Sequence, residues 1–239
     1  MWIEYQWRTV LAYLPDYLHA ALLALRITVL GFLLAFALAM IAALARNSGL
    51  RILRILGACY VEAIRNTPVL LQIFIVYFAL PNFGIRLSAV AAGTIALGVN
   101  VGAYLTEVVR AGIASVGAGQ LEAAQVLGLS KIHVFVYVVA PQALRNVYPA
   151  LINNLVQVLL GTSLLSTIAV PEITGVATVI NARTLLFVQV FGIAVALYLV
   201  LSYGLSAVAA LIGRLVFRSP AAAGTRKRAT ALNLTGARP

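Results

Sequence analysis

Runs without any charged residue divide the sequence into five stretches long enough to cross a membrane: Ile27–Ala45, Asn66–Ile85, Leu87–Thr106, Asn146–Val170 and Thr184–Gly213. About twenty residues at ~1.5 Å rise match a hydrocarbon core of about 30 Å. Unpaired backbone is not tolerated in lipid, and the runs lack the alternation of a membrane barrel, so each is predicted to be a helix. The first helix is predicted to start earlier, near Leu18, with Arg26 toward one end. Pro81-Asn82 followed by Gly84 predicts a tight hairpin between the second and third helices. Residues 107–145 form a long mixed segment between the third and fourth. Val170 to Arg183 holds Pro171, Glu172 and Gly175, is too polar to cross alone, and reads as a loop or re-entrant piece. The predicted fold class is therefore all-α, a polytopic membrane protein with five transmembrane helices. Residues 18–217 make the membrane domain, 1–17 an external segment, and 218–239 a disordered basic cytoplasmic tail.

Composition supports this. Of 239 residues, 63% are hydrophobic and only 10% charged, against about 25% charged in ordinary soluble domains. That excludes most soluble enzymes and any disordered module. One cysteine, Cys59, excludes an intrachain disulfide and a multi-cysteine metal site. His19 and His133 lie far apart with no ligand-like neighbours, so no metal site is expected.

The net charge of +11 has a topological reading. With five spans, only Arg8, Arg26, Arg86 and Arg183 of the 17 basic residues fall on one side. The excess on the other side places the C-terminus in the cytoplasm and the N-terminus outside. The charge thus orients the chain, and nucleic acid is not an expected partner. The segment 115–145 becomes a cytoplasmic loop.

Within that loop, Gln120–Leu127 reads as a short helix: Glu122, Ala123 and Ala124 are good helix formers, and the acid suits the first turns. Leu121, Ala124 and Leu127 give it one apolar face. Gly128 ends it and reverses the chain. Ser130 is a plausible N-cap for a second helix, which Pro141 breaks or kinks. A short helix held on the cytoplasmic side suits docking to a partner.

Glu122-Ala123-Ala124, Gly128, Val138 and Pro141 follow the pattern E-A-A-x3-G-x9-I-x-L-P, with Val138 at the Ile position and Ala140 at the Leu position. This resembles the EAA motif of the membrane permease subunits of bacterial ABC importers. The runs Glu62–Gln72, Ala103–Ile113, Pro141–Arg145, Ser163–Ser166 and Val170–Gly175 resemble the polar amino acid branch of that family (histidine, glutamine, arginine and opine type). Members often carry Lys-Asp just before the Ser163–Ser166 run, where this chain has Leu160-Gly161.

The resemblance implies a type I importer permease with a cytoplasmic coupling helix, carrying a polar amino acid or derivative across the bacterial inner membrane. It implies two separate ATP-binding subunits, which hold ATP-Mg, a second permease, identical or homologous, and an extracytoplasmic substrate-binding protein. Glu122, Ala123, Ala124, Gly128 and Pro141 would form the coupling element. The chain has no G-x-x-x-x-G-K-[ST] phosphate loop, so it is not expected to hydrolyse ATP itself or to hold a cofactor.

Other polar residues in the spans carry two readings each. Gln72, Asn100, Asn153, Asn154, Gln157 and Gln189 are either interhelical glue or part of a polar path. Asn153 and Gln157 share one helix face. Glu107 and Arg110 are a structural clamp or a receptor for a zwitterion. Pro171-Glu172 is an external gate, a binding-protein contact, or a simple cap. The competing function is a stand-alone ion-coupled secondary transporter or channel, which calls for inverted repeats and a mid-membrane carboxylate. Neither is present in the sequence, where the acids lie near helix ends or in loops.

Overall fold

The computed structural model describes residues 2–217. Within them the chain is helical almost throughout, with no strand. Helix α1 (Trp2–Leu11) precedes the long α2 (Leu14–Arg46). Next come α3 (Arg51–Arg65) and α4 (Val69–Phe74), the latter continued by a π-turn at Ile75–Ala79 and a 3-10 turn at Leu80–Phe83. Helix α5 (Ala89–Ala114) returns, and α6 (Ala118–Val126) and α7 (Lys131–His133) follow. A π-turn at Val134–Val139 leads from α7 into α8 (Ala140–Gly161), which ends in a 3-10 stretch at Thr162–Ile168. Helices α9 (Ile173–Thr184) and α10 (Phe187–Val216) complete the bundle. The predicted tail at 218–239 lies outside the described residues.

Four stretches are long and apolar enough to span: Leu14–Arg46, Ala89–Ala114, Lys131–Ile168 and Phe187–Val216. The fifth span is a bent pair, Arg51–Arg65 with Val69–Phe83, turned through 107° at the break. The predicted run Asn66–Ile85 is therefore only the second limb of that span. The first limb, α3, escaped a count of charge-free residues because Arg51, Arg54, Glu62 and Arg65 all lie on it. These side chains stay on the exposed face, while Gly57 and Val61 are buried.

Three further boundaries move. Helix α2 begins at Leu14, ahead of Leu18, with Pro15 in its first turn and Asp16 at its positive end. Helix α5 runs past Thr106 to Ala114, because its charged turn is paired. Residues 173–184, expected as a loop or re-entrant piece, form the short helix α9, whose N-terminal N–H groups are capped by Glu172. The hairpin at Pro81–Gly84 is present, with Gly84 at φ +82°.

The main packing contact is α2 on α5. A stripe of small residues on α2, Ala24, Thr28, Gly31, Ala35, Ala39 and Ala42, is buried along its length. It faces Gly98 and Gly102 of α5, spaced for close backbone approach. A Cβ on Gly98 would lie 3.1 Å from the Gly31 carbonyl oxygen, and one on Gly102 would lie 3.1 Å from that of Ala35. Helix α8 packs against the same pair through Leu151 and Val158. Tyr60 of α3 reaches in to donate to the Val99 carbonyl at 2.8 Å.

Gly98→Ile and Gly102→Ile should each lower the stability of the detergent-purified protein by about 1–3 kcal/mol, the usual cost of overpacking. Gly204→Ala, where a Cβ meets nothing within 4 Å, should not. Thermal unfolding of the three variants checks this.

Candidate functional site

The polar groups of the bundle lie at its two ends and between them. At one end the C-terminal ends of α2 and α5 meet the α6–α7 segment. Helix α6 ends as predicted: Gly128 takes φ +76°, its N–H bonds to the Gln125 carbonyl at 2.9 Å, and the Leu129 N–H bonds to that of Ala124 at 3.2 Å. This paired closure needs a left-handed residue, which Gly128 supplies. Ser130 caps the next helix through the His133 N–H.

The predicted apolar face of α6 is corrected. Leu121 and Ala124 pack inward on Val134, Val138 and Val139, but Leu127, at the helix end, is 79% exposed. With Val126 at 88% and Ile132 at 75%, it makes an apolar tip on the outside of the segment. Glu122 and Ala123 are also exposed. Pro141 does not break the helix. The wider π-turn before it absorbs the missing donor and the ring. Gln142 donates to the Gln120 side chain, and Asn146 to the Ser115 hydroxyl at 2.8 Å. These two amide contacts fasten the segment to α8.

Just inside this end, Glu107 is held by Arg46 of α2 and by Arg110, the latter at 3.2 Å. The clamp reading of Glu107 and Arg110 is the one the geometry supports. Both charges are engaged with each other, and neither lines the cavity described next.

That cavity, about 680 Å³, lies between α5 and α8. Asn153, Asn154 and Gln157 line it from α8, and Asn100 and Tyr104 from α5. Ser163, Leu160 and Gly161 close one wall. Asn154 donates to the Ala150 carbonyl at 2.8 Å, while Asn153 and Gln157 are exposed to the space. No charged residue is part of the lining. Tyr104 and Ser163 were not singled out from the sequence. Tyr104 stands one turn beyond Asn100, a spacing that could have revealed it.

Of the two readings of Gln72, interhelical glue or path, its hydrogen bonds fit the glue. Its amide nitrogen donates to the Ile64 carbonyl at 2.9 Å and to the Thr67 hydroxyl at 2.7 Å, across the break between α3 and α4. Its oxygen accepts from Asn100 at 3.0 Å. The side chain thus satisfies carbonyls freed at the end of α3 and stands behind Asn100 rather than on the cavity wall. Gln189 is likewise glue, donating to Gln6 of α1 at 2.8 Å.

At the far end, Pro171 borders an open cleft, but Glu172 is fully buried. Its oxygens accept from the Gly175 N–H at 2.8 Å, the Thr174 N–H at 3.0 Å and the Tyr198 hydroxyl at 2.6 Å. Burial pushes its carboxyl above the ordinary value, and these three hydrogen bonds pull against that. Of the three readings of Pro171-Glu172, the Glu172 side chain fits the cap: its carboxylate is turned inward onto the start of α9. Among the described residues no group of three or more His, Cys, Asp or Glu is placed to hold a metal.

Residues 35–219 match the family model described as binding-protein-dependent transport system inner membrane component. The chain is 37% identical over 188 residues to a probable glutamine ABC transporter permease of Bacillus subtilis, covering 77% of this chain and 86% of that one. It is 40% identical over 189 residues to an L-cystine transport system permease of the same organism, covering 79% and 81%. It is 37% identical over 206 residues to an octopine transport system permease of Rhizobium radiobacter, covering 82% of each. Among solved structures, an amino acid ABC transporter with histidines superposes with TM-score 0.80 at 32% identity, over 85% of this chain and 95% of that one.

Glu172→Ala should cost about 1–3 kcal/mol, because the cap of α9 is lost and the half-buried Tyr198 hydroxyl loses its shorter partner. Glu172→Gln keeps an acceptor and should cost less. Equal losses in thermal unfolding would show that the charge, not the hydrogen bonds, is what matters.

Proposed function

Because this chain belongs to the family of inner-membrane components of binding-protein-dependent transport systems, we propose that it carries a polar amino acid or amino-acid derivative through the membrane in an importer driven by ATP. Its relatives by name are permeases for glutamine, cystine and octopine. The observation that carries the reading is the pairing of two features on one rigid frame. One is an apolar-tipped short helix outside the bundle. The other is an amide-lined cavity between α5 and α8, within the bundle.

In this reading, two ATP-binding subunits hold ATP-Mg and hydrolyse it, and the chain itself catalyses nothing. A second permease, identical or homologous, completes the path, and an extracytoplasmic binding protein delivers the substrate. The N-terminus lies outside and the C-terminus in the cytoplasm. Helix α6 is the coupling helix. Val126, Leu127 and Ile132 enter an apolar groove of the ATPase, and Glu122 meets a basic group at its rim. Ala123 and Ala124 keep the helix slim enough to seat, Gly128 makes the reversal, and the turn at Pro141 passes the motion into α8. The Gln120–Gln142 and Ser115–Asn146 contacts make that transfer rigid, as a two-state element requires.

Asn153, Asn154 and Gln157, with Asn100 and Tyr104, offer donors and acceptors to a polar solute in transit. Gln72, Glu107 and Arg110 serve that path by holding its helices. Pro171 and Glu172 set the position of α9 at the outer end, where any gate would hinge.

Glu122→Lys and Gly128→Asp should leave a folded protein in the membrane but lower substrate uptake by about tenfold or more, equivalent to at least ~1.4 kcal/mol of coupling energy. The check is uptake and ATP hydrolysis measured together in vesicles containing the reconstituted complex. Normal uptake with normal hydrolysis in both variants would overturn the assignment of α6. Uptake that runs on an ion gradient without ATP would overturn the importer reading itself.

A further inference from the structure

At the end of the bundle away from α6, the start of α2 and the outer face of α9 enclose an open cleft of about 640 Å³. Asp16, His19, Ala20 and Leu23 line it from α2, at spacings that put all four on one helix face. Val176, Val179 and Arg183 line it from α9 in the same way. Ser166 to Pro171 bound the side between them. The depth of the cleft is largely apolar, and the charges lie toward the ends of the two helices.

Among the described residues, Asp16, His19 and Arg183 have no side-chain hydrogen bond and no ion pair. Each helix accounts for its own charge. Asp16 sits in the first turn of α2 and Arg183 in the last turn of α9, both favoured by the helix dipole. All three side chains are exposed and converge on one apolar hollow, where their charges are free to meet a ligand. The other acids with a structural role, Glu107 and Glu172, are fully engaged.

We propose that this cleft is a binding site for one phospholipid whose headgroup carries a primary ammonium and a phosphate, as in phosphatidylethanolamine. Arg183 takes the phosphate through its fork of donors. Asp16 accepts from the ammonium. The start of one acyl chain covers Leu23, Val176 and Val179.

Three facts select this occupant. A free polar amino acid would leave the apolar walls wet, whereas a lipid covers them. A headgroup with only negative charge would face Asp16 unpaired. The cleft is also walled by the first turns of α2, a helix long and apolar enough to cross the membrane, with Leu23 of that helix in its lining. None of the α2 residues belongs to the amide-lined cavity, so this site is separate from the proposed path.

The test extracts the assembled transporter in mild detergent, strips it, and offers equal amounts of phosphatidylethanolamine, phosphatidylcholine and phosphatidylglycerol. Retained lipid is counted by native mass spectrometry. The wild type should retain phosphatidylethanolamine over the other two by about tenfold, the scale of one charge-assisted hydrogen bond. Asp16→Asn should abolish the preference over phosphatidylcholine. Arg183→Gln should lower retention of all three, and Val179→Trp, which fills the wall, should do the same. Thermal unfolding of each variant serves as the folding control, since none of these side chains holds another part of the fold. Equal retention of the three lipids by the wild type, or unchanged retention in all three variants, would overturn the proposal. So would a variant that leaves lipid retention intact and changes the number of permease copies, because the cleft would then be a subunit contact.

Discussion

The approach of α2 to α5 sets the geometry of everything else. In lipid there is no hydrophobic force to press helices together, so packing depends on how closely backbones can come. Alanine, threonine and glycine on α2 and Gly98 and Gly102 on α5 allow near-contact along much of both helices. That contact brings Arg46 to Glu107 at one end. It also leaves Asn100 and Tyr104 facing away from α2, toward α8 and the cavity. A larger residue at Gly98 or Gly102 would shift both the clamp and the cavity wall.

Polar groups in the bundle divide by whether they are satisfied. Gln72, Glu107, Glu172 and Tyr198 are tied to named partners and hold a break, an end or a loop in place. Asn153 and Gln157 are exposed to the cavity instead. A buried polar group without a partner is costly in an apolar medium, so side chains that keep free donors and acceptors must face water or a ligand. This separates scaffold from path more sharply than polarity does.

The end bearing α6 has a different design. Its outer side carries an apolar tip beside the exposed Glu122, and its inner side is locked, by the Schellman closure at Gly128 and by side-chain amides bonded to Ser115 and Gln120. An element that transmits a partner's movement, the role proposed for α6, cannot itself flex, and here few residues lock it. The π-turn before Pro141 makes the same point. It lets one helix run from Lys131 into the membrane despite a proline.

How much of this was legible in the sequence follows from what each signal measures. Length of apolar run and helix chemistry are local, so the all-helical class, four of the five spans, the Gly128 stop, the Ser130 cap and the hairpin at Gly84 could be read directly. The EAA pattern named the family for the same reason: its spacing lies within one stretch of chain. Helix α3 was missed because its charges lie on the exposed face, apart from the buried Gly57 and Val61, and charge counting cannot see faces. Helix α9 was missed because its start depends on Glu172, whose burial depends on Tyr198, 26 residues away. Gln72, Glu107 and Arg110 look the same on paper as Asn153 and Gln157. Only the fold decided which amides meet a partner and which meet open space, because that choice is set by contacts between helices and not by any residue's own chemistry.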